Sequence, residues 1–389
     1  MARELAISLY LLVFRIIFNI CKLFPQKKKT TFISSFGDNV LYTVNELEKQ
    51  TDDRVVILKT SQCRIDFNKG ERMVLLFEPK HLFEWVHSIY HLATSRMIFV
   101  DNYFGFLAVA DFKSDVKCIQ LWHAAGAIKQ FGLKDPSNDR RSPRAIQRFQ
   151  QVYDRFDHVV VGSEKMAAIF RESFGLGDDR MLRTGIPRTD FYFEKASEAV
   201  ASQELKQTLP LIGEKKVILY APTFRDEALD SAEIMLDVDR LYEEFASEYV
   251  LLLRLHPAIQ GKFLNQYPGF VIDVSGYPDI HRLLVVTDVL VTDYSSIPFE
   301  FSLLGRPMIF FAYDLEVYEE ARGFREDYKM LIPGPVVRDT EALIDVMKEG
   351  QFDYERILTF AEEWNEYSDG TSSKCLIEAV YERATGVSE

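Results

Sequence analysis

The sequence predicts an α/β protein with two doubly wound parallel sheets. Short apolar runs alternate with helical stretches, and the runs are almost continuously apolar, which is typical of parallel strands buried on both faces. The series of runs occurs twice, on either side of a charged stretch that ends at Pro210. With 389 residues, of which 47% are hydrophobic, the chain has enough apolar surface for two cores.

Eleven apolar runs are the predicted strands. The first domain contains those at 31–36, 54–58, 73–77, 97–100, 117–122 and 158–162, and the second contains those at 216–221, 249–255, 270–274, 288–292 and 307–311. The predicted domain limits are 29–195 and 205–352, with an N-terminal segment at 1–28 and a C-terminal segment at 353–389. Ligands of doubly wound sheets bind at the carboxyl ends of the strands, so candidate site residues are expected directly after the runs.

Composition excludes several classes of protein. The formal net charge of −13 argues against a nucleic-acid partner, and 13% aromatic residues without low-complexity tracts argue against disorder. The four cysteines are scattered without a C-x-x-C pair, which predicts neither a zinc site nor a disulfide framework and fits a reducing cytoplasm. The fingerprints of P-loop kinases, dinucleotide oxidoreductases, HExxH metalloproteases and GxSxG hydrolases are absent from the sequence.

The N-terminal segment is mostly apolar between residues 5 and 24. On a helix, its polar side chains fall within a stripe of roughly 60°. These side chains are Glu4, Ser8, Arg15, Asn19 and Lys22. Arg15 at the centre makes spanning a membrane costly by about 2.5 kcal/mol or more. The pattern predicts a helix that lies in the membrane interface, with Lys27, Lys28 and Lys29 attracted to anionic lipid. The alternative is a helix that packs on the protein.

The first candidate site motif follows the predicted strand at 117–122. His123 enters a loop of small residues that includes Gly126 and ends at Lys129. Small side chains let a substrate approach the backbone closely, and histidine is suited to removing a proton near neutral pH. A structural histidine is the alternative.

Two further motifs place polar and cationic side chains after strands of the second domain. Thr223 and Arg225 follow the run at 216–221, and a guanidinium there can grip a phosphate with two hydrogen bonds. Arg254 and His256 share one face of the next strand because side chains alternate along it. Together these donors indicate an anionic ligand, whereas a solvated loop arginine is the alternative for Arg225.

The fourth motif follows the run at 288–292 and includes Asp293 and Glu300. Ser295 or Ser296 can cap the next helix, whose first turn tolerates Pro298. Two hydroxyls and the free backbone N–H groups of that turn would form a cradle for a diphosphate. A purely structural serine cap is the alternative.

In order and spacing, these four motifs resemble the CDP-glycerol glycerophosphotransferase family of Gram-positive wall teichoic acid synthesis, most specifically in the T-D-Y-S-S and R-x-H-P segments. The similarity extends from about Lys29 to the C-terminus. The resemblance implies a GT-B fold, in which two Rossmann-like domains face each other across a cleft and a C-terminal helix, here at 354–383, crosses back to the first domain. It implies an enzyme, and because the sequence contains no evident metal-ligand cluster of carboxylates, neither a metal nor a cofactor is expected.

The resemblance also implies roles for the motif residues. His123 looks like the general base, while His256 looks like a donor-phosphate ligand or a second catalytic residue, so which histidine is the base stays open. The remaining CDP-glycerol ligands would be Thr223, Arg225, Arg254, Asp293, Ser295, Ser296 and Glu300. Gly126 and Lys129 would lie on the acceptor side.

One departure from the family pattern indicates which branch of the family the chain resembles. Polymerising members typically read His-Gly-Thr-Pro, whereas this chain reads His-Ala-Ala-Gly from His123 onward. That form resembles the primase branch, which transfers the first glycerol phosphate from CDP-glycerol to undecaprenyl-diphosphate-linked N-acetylmannosaminyl-N-acetylglucosamine and releases CMP. The expected partners are these two substrates and the anionic cytoplasmic face of the cell membrane. Self-association and assembly with other teichoic acid enzymes stay open.

Three alternative functions remain at this point. The first is a second-unit or polymerising transferase that uses CDP-glycerol or CDP-ribitol. The second is a nucleotide-sugar glycosyltransferase or epimerase on the same scaffold, because a fold does not determine a function. The third is a catalytically silent membrane scaffold. An assay that detects release of CMP rather than UDP would distinguish the first alternative from the second.

Overall fold

The computed structural model describes residues 2–68, 70–225, 234–256, 259, 261 and 263–385. The chain forms two compact units, and each has its own parallel sheet, so the predicted fold class is confirmed. Unit 1 comprises Met1–His123, Phe131–Asp190 and Glu366–Glu389, and unit 2 comprises Ala124–Gln130 and Phe191–Asn365. This grouping differs from the predicted limits at 124–130, a segment that follows a strand of unit 1 but packs with unit 2.

Unit 1 contains a seven-stranded parallel sheet in the order β3-β2-β1-β4-β5-β6-β7. Its strands are β1 (Lys29–Ser34), β2 (Arg54–Lys59), β3 (Met73–Leu76), β4 (Met97–Val100), β5 (Lys117–Gln120), β6 (His158–Val161) and β7 (Met181–Arg183). Its helices are α1 (Ala2–Lys22), α2 (Asp38–Gln50), α3 (Leu82–Ala93), α4 (Pro143–Tyr153), α5 (Glu164–Phe174) and α15 (Ser372–Thr385). Phe32 of β1 is paired with Ile57 of β2 and Phe99 of β4, and all three side chains are fully buried.

Unit 2 contains a six-stranded parallel sheet in the order β10-β9-β8-β11-β12-β13. Its strands are β8 (Lys216–Ala221), β9 (Tyr249–Leu253), β10 (Val271–Asp273), β11 (Val289–Thr292), β12 (Met308–Phe311) and β13 (Val336–Val337). Its helices are α6 (Lys195–Thr208), α7 (Leu211–Glu214), α8 (Val238–Phe245), α9 (Ile280–Val286), α10 (Ile297–Phe301), α11 (Leu315–Arg322), α12 (Tyr328–Leu331), α13 (Thr340–Glu349) and α14 (Tyr354–Trp364). The charged stretch before Pro210 forms α6, which buries Ala201 and Leu205.

Every predicted run overlaps a strand of the structure, although the strand ends differ by a few residues. Two strands, β7 and β13, lie outside the predicted runs. They have three and two residues, which is too short for a recognisable hydrophobic pattern.

The strand order reverses between β1 and β4 in unit 1, and between β8 and β11 in unit 2. In a doubly wound sheet this reversal opens a crevice at the carboxyl ends of the strands, where ligands bind. The candidate residues of each unit follow these strands and their neighbours.

The single helix predicted at 354–383 is interrupted and forms α14 and α15, which belong to different units. Between them the chain turns through Gly370, whose φ of 92° is a conformation that favours glycine. The Asp190 carboxylate then accepts the backbone N–H groups of Ser372 and Ser373 at 2.8 and 2.9 Å, which fixes the start of α15 on unit 1.

Helix α1 packs on unit 1 along one face. Phe14 and Phe18 are fully buried, and the Phe14 ring lies 4.9 Å from the Phe106 ring and 6.1 Å from the Trp85 ring of α3. The opposite face exposes the apolar residues Leu5, Leu9, Leu12, Val13, Ile16, Ile20 and Leu23. By length and composition alone, Arg3–Lys22 could cross a membrane, with a mean hydropathy of 1.9. One apolar side therefore packs on the protein, while the other lies on the surface.

Candidate active site

His123 follows β5, and its imidazole has a defined orientation. Nδ1 lies 3.0 Å from the backbone carbonyl of Asp101, which can only accept a hydrogen bond. Nδ1 therefore carries the proton, and in the neutral ring the lone pair is on Nε2. The ring stacks on Phe36 with centroids 4.0 Å apart and planes at 9°. A neutral imidazole held in this tautomer can accept a proton at Nε2.

The residue before His123 has a strained backbone. Trp122 has a φ of 57°, and it is the one non-glycine residue with positive φ among the described residues. The Asn39 amide donates to the carbonyls of Leu121 and Trp122 at 3.3 and 3.0 Å, which stabilises this conformation. Strain of about 1–3 kcal/mol persists where surrounding contacts enforce it, and such residues cluster at functional sites.

Asp101 follows β4 and organises the loop on which the His123 ring stacks. Its buried carboxylate accepts the backbone N–H groups of Ser35, Phe36 and Gly37 at 2.9, 3.0 and 3.0 Å. Because Phe36 stacks on His123, the same carboxylate indirectly positions the imidazole.

The pKa of His123 is lowered to about 4. Burial is the main cause, the hydrogen bond to Asp101 opposes it, and the positive charge of Arg188 adds to the lowering. His123 is therefore neutral at physiological pH, which is the form that a general base requires.

In unit 2, Arg225 lies in a cage of carboxylates and tyrosine rings. Its Nε and Nη2 donate to the two oxygens of Asp314 at 2.7 and 2.9 Å, and Nη2 also donates to Asp293 at 3.1 Å. Nη1 donates to the backbone carbonyl of Thr223 at 2.7 Å. The guanidinium can grip a phosphate only by exchanging some of these partners, so its role as a phosphate ligand stays a prediction.

Aromatic rings connect Arg225 to Lys129. The guanidinium lies 4.7 Å from the centre of the Tyr318 ring, which stacks on Tyr294 at 3.9 Å. Lys129 Nζ donates to the Tyr318 hydroxyl at 3.1 Å. Lys129 therefore belongs to the cluster of aromatic rings around Arg225, and its predicted acceptor-side role stays a prediction.

Asp293 joins the ends of β8 and β11. One carboxylate oxygen accepts the backbone N–H groups of Thr223 and Tyr294 at 2.8 and 2.7 Å, and the other accepts from Arg225. The Thr223 hydroxyl beside it is buried, and among the described residues its contact with the Asp293 carboxylate falls short of good hydrogen-bond geometry. A buried hydroxyl with weak hydrogen bonding would gain from a ligand that supplies a better partner.

Ser295 and Ser296 precede the short helix α10. The Ser295 hydroxyl accepts the backbone N–H of Ile297, the first residue of α10, at 3.2 Å. Ser296 occupies the cap position without a side-chain capping bond. Its half-buried hydroxyl is thus the better placed of the two to meet a ligand.

Arg254 and His256 have different surroundings although both follow β9. Arg254 Nη1 donates to the backbone carbonyl of Tyr277 at 2.7 Å, so its guanidinium supports a neighbouring loop. His256 is exposed, and its ring lies 4.4 Å from that of Phe224. His256 is accordingly the more accessible side chain of the pair.

Glu300 and Gly126 shape the segment after His123. Buried Glu300 accepts the backbone N–H of Ala125 at 3.2 Å. At Gly126 a Cβ atom would lie 2.2 Å from the Phe299 ring, so only glycine fits without a shift. Both residues therefore support the loop, and their predicted substrate contacts stay predictions.

Several residues of these clusters have no place among the motif residues. They are Asn39, Asp101, Asp314 and Tyr318. Asp101 and Asp314 could have been found because each follows a strand, β4 and β12, but neither belongs to a distinctive motif. Within the described part of the chain, no group of three or more histidine, cysteine, aspartate or glutamate side chains could hold a metal ion.

Two doubly wound parallel sheets with polar residues directly after their strands are typical of a GT-B-like fold. A structure of the wall teichoic acid polymerase TagF with CDPG has a TM-score of 0.84 and 24% identity, covering 99% of this chain and 98% of that one. A structure of MnaA from S. aureus with UDP has a TM-score of 0.57 and 15% identity, covering 93% and 98%. These likenesses concern the fold.

Sequence comparison identifies the family. The profile of CDP-Glycerol:Poly(glycerophosphate) glycerophosphotransferase matches residues 16–382. The teichoic acid glycerol-phosphate primase of Bacillus subtilis (strain 168) is 39% identical over 354 residues, 90% of this chain and 91% of the relative. That of Bacillus spizizenii W23 is 38% identical over 359 residues, 92% and 93%. The chain belongs to the CDP-glycerol glycerophosphotransferase family of wall teichoic acid synthesis, as the motifs predicted.

Proposed function

We propose that the chain is a teichoic acid glycerol-phosphate primase. In this role it transfers glycerol phosphate from CDP-glycerol to undecaprenyl-diphosphate-linked N-acetylmannosaminyl-N-acetylglucosamine and releases CMP. The observation that carries the proposal is the 39% identity to the Bacillus subtilis primase over 91% of that protein's length.

The proposed reaction is a single displacement at phosphorus. The acceptor hydroxyl transfers its proton to His123 Nε2, and its oxygen attacks the phosphorus that carries glycerol. A new P–O bond forms, the bond between this phosphorus and the bridging oxygen breaks, and CMP leaves with that oxygen. The fixed Nδ1 proton supports this role, because it keeps the Nε2 lone pair available.

The charge that develops on the two phosphates is stabilised by hydrogen-bond donors. The groups best suited to contact CDP-glycerol are the exposed ring of His256, the Ser296 hydroxyl and the Thr223 hydroxyl. Arg225 contributes through its fixed place beside Asp293 and Asp314, or by exchanging one of those carboxylates for a phosphate oxygen.

The chain is also proposed to act as a peripheral protein at the cytoplasmic membrane face, where its lipid-linked acceptor would lie. The exposed apolar face of α1, with Leu9, Ile16 and Ile20 among its residues, supports this location. Polar residues between the two apolar faces include Glu4, which pairs with Arg148 of α4 at 2.9 Å, and this pair keeps α1 against unit 1.

The proposal is tested with a synthetic lipid-linked disaccharide acceptor and with CDP-glycerol, CDP-ribitol or a UDP-sugar as donor. We expect CMP release from CDP-glycerol and a product heavier by one glycerol phosphate. UDP release from the sugar donor, or absence of CMP release, would refute the assignment.

A polymerising transferase is the second candidate. The teichoic acid poly(ribitol-phosphate) polymerase of Bacillus spizizenii W23 is 37% identical over 308 residues, although this covers 49% of its length. The mass of the product decides between the two candidates, since a polymerase would extend the acceptor by many units with excess donor.

A further inference from the structure

A cationic cavity lies in unit 1 at the amino ends of β1 and β2, on the opposite edge of the sheet from His123. Its volume is about 280 Å³. The cationic and imidazole side chains that line it are Lys27, Lys28, Lys29, Arg54, His87 and His91. None of these side chains has a part in the proposed reaction.

Lys29 is the unusual member of this cavity because it is 1% exposed. Its Nζ lies 3.0 Å from His91 Nδ1 and donates to Thr94 Oγ1 at 2.7 Å. His91 Nε2 in turn lies 3.0 Å from His87 Nε2. This chain of polar groups leads from the buried ammonium to the exposed His87.

The cavity has an excess of positive charge. Lys28 pairs with Asp52, but among the described residues no carboxylate lies within ion-pairing distance of Lys27, Lys29 or Arg54. Burial, with the charges of Lys27 and Arg54, lowers the pKa of Lys29 to about 7. A buried ammonium without a counter-charge is costly, and an anion in the cavity would compensate for it.

Exposed apolar side chains border the cavity. Phe83 and Val86 of α3 are 92% and 36% exposed, and they precede His87 and Tyr90 by one turn of the helix. The half-exposed ring of Phe24, just after α1, lies 5.6 Å from the Tyr90 ring. Cationic and apolar surfaces therefore adjoin here.

We propose that this cavity binds one phosphate group, with Lys29, Lys27 and Arg54 as its donors. The bordering apolar side chains favour a phosphate carried by an anionic lipid over a free phosphate ion. The choice of an anionic lipid as the carrier of the phosphate rests on the membrane location proposed above. Phosphate binding itself depends on the cavity alone. The site would anchor the chain through one lipid headgroup, in addition to the insertion of apolar side chains.

The first test measures sedimentation of the full chain with vesicles of phosphatidylcholine containing 30 mol% phosphatidylglycerol. Arg54→Gln is expected to weaken binding roughly fivefold, the effect of about one cation near an anionic surface. Lys374→Gln removes an exposed charge from α15 of the same unit and serves as the matched control, with less than a twofold change expected. Equal losses in both variants would mean diffuse attraction and overturn the proposal.

The second test is calorimetric titration of the full chain with inorganic phosphate. If Arg54→Gln weakens phosphate binding about fivefold but leaves vesicle binding unchanged, the site takes free phosphate. No effect of Arg54→Gln in either assay would overturn the site. The variant Lys29→Met tests the buried lysine in the same titration. If Lys29 binds the phosphate, phosphate affinity should fall by tenfold or more. If its role is purely structural, Tm should fall and phosphate affinity should stay unchanged.

An assay of CMP release with a soluble short-chain acceptor tests the proposed primase function separately from the phosphate site. Arg54→Gln should release CMP at the wild-type rate, because Arg54 lies at the amino edge of the sheet. If the wild-type chain released no CMP, the proposed function would fail, while the phosphate and vesicle measurements would still decide the cavity.

Discussion

Replacing His123 by alanine tests the proposed base and the environment that prepares it. A general base contributes about 10²–10⁴-fold to turnover, so His123→Ala should lower kcat by at least about 10²-fold. CDP-glycerol affinity should stay within about twofold, because the group acts mainly in the transition state. The assay is CMP release under saturating donor, with donor affinity measured by calorimetry.

The lowered pKa of His123 makes the prediction quantitative in pH. Because the pKa is about 4 in the folded chain, kcat/KM should stay level between pH 8 and about 5 and decline only below that. An acid limb centred near 6.5, the ordinary value for histidine, would show that burial does not shift the imidazole as argued.

The same shift predicts a pH-dependent stability. A histidine whose folded pKa lies below its unfolded value stabilises the fold fully above about 6.5, and this contribution is lost as the pH falls towards 4. A shift from 6.5 to about 4 corresponds to a loss of about 3 kcal/mol in the free energy of unfolding. In His123→Ala this decrease in the free energy of unfolding at low pH should be absent, as measured by urea unfolding at pH 7 and pH 4.

His158→Ala is the matched control, since it removes a half-buried imidazole from the amino edge of the same sheet. Its kcat should remain within about twofold of wild type. Near-normal turnover of His123→Ala, or an equal loss in both variants, would refute the reasoning about His123.

Three further predictions concern other parts of the chain. Arg225→Ala should weaken CDP-glycerol binding by about 1.5–3 kcal/mol, measured by calorimetry, and should also lower Tm because two carboxylates lose their cation. Gly126→Ala should destabilise the chain by about 1–3 kcal/mol in urea unfolding, because the new Cβ meets the Phe299 ring, whereas Gly269→Ala has open space and should not. Ile16→Gln on the exposed face of α1 should weaken sedimentation with anionic vesicles by about 1–2 kcal/mol, while activity on a soluble acceptor persists.

Each of these predictions has a contradicting outcome. Unchanged donor affinity in Arg225→Ala, with only a lower Tm, would restrict that residue to a structural role. Equal stability of the two glycine variants would contradict the packing argument for Gly126. Val317→Gln removes an exposed apolar side chain from unit 2 and is the control for Ile16→Gln; equal losses would place the membrane contact elsewhere.

Deletion of the residues before Lys29 would be an unsuitable test of membrane binding. Phe14 and Phe18 are fully buried, and Trp85 of α3 packs against Phe14. Removal of α1 would therefore uncover part of the unit 1 core as well as remove the exposed apolar face. Substitutions on that exposed face separate the two effects.

The sequence by itself determined the fold class and the location of the candidate residues. Near-continuous apolar runs can be read locally, and parallel strands bring residues that follow them to one edge of a sheet. That is why His123, Asp293 and Thr223 could be named before any contact was known. The family motifs also indicated the class of reaction, because the T-D-Y-S-S and R-x-H-P segments are short contiguous patterns that can be recognised in the sequence.

Only the tertiary structure decided what each candidate contacts. Arg225 and its partner Asp314 are 89 positions apart, so no local sequence pattern predicts that this carboxylate accepts hydrogen bonds from the guanidinium. The proton on Nδ1 of His123 is set by a carbonyl 22 positions earlier, and this determines which nitrogen can act as the base. Helix α1 shows the same limit: its apolar surface is continuous in sequence, and the packing of Phe14 against α3 decides which half is buried. Such contacts depend on long-range geometry, which hydrophobic periodicity does not encode.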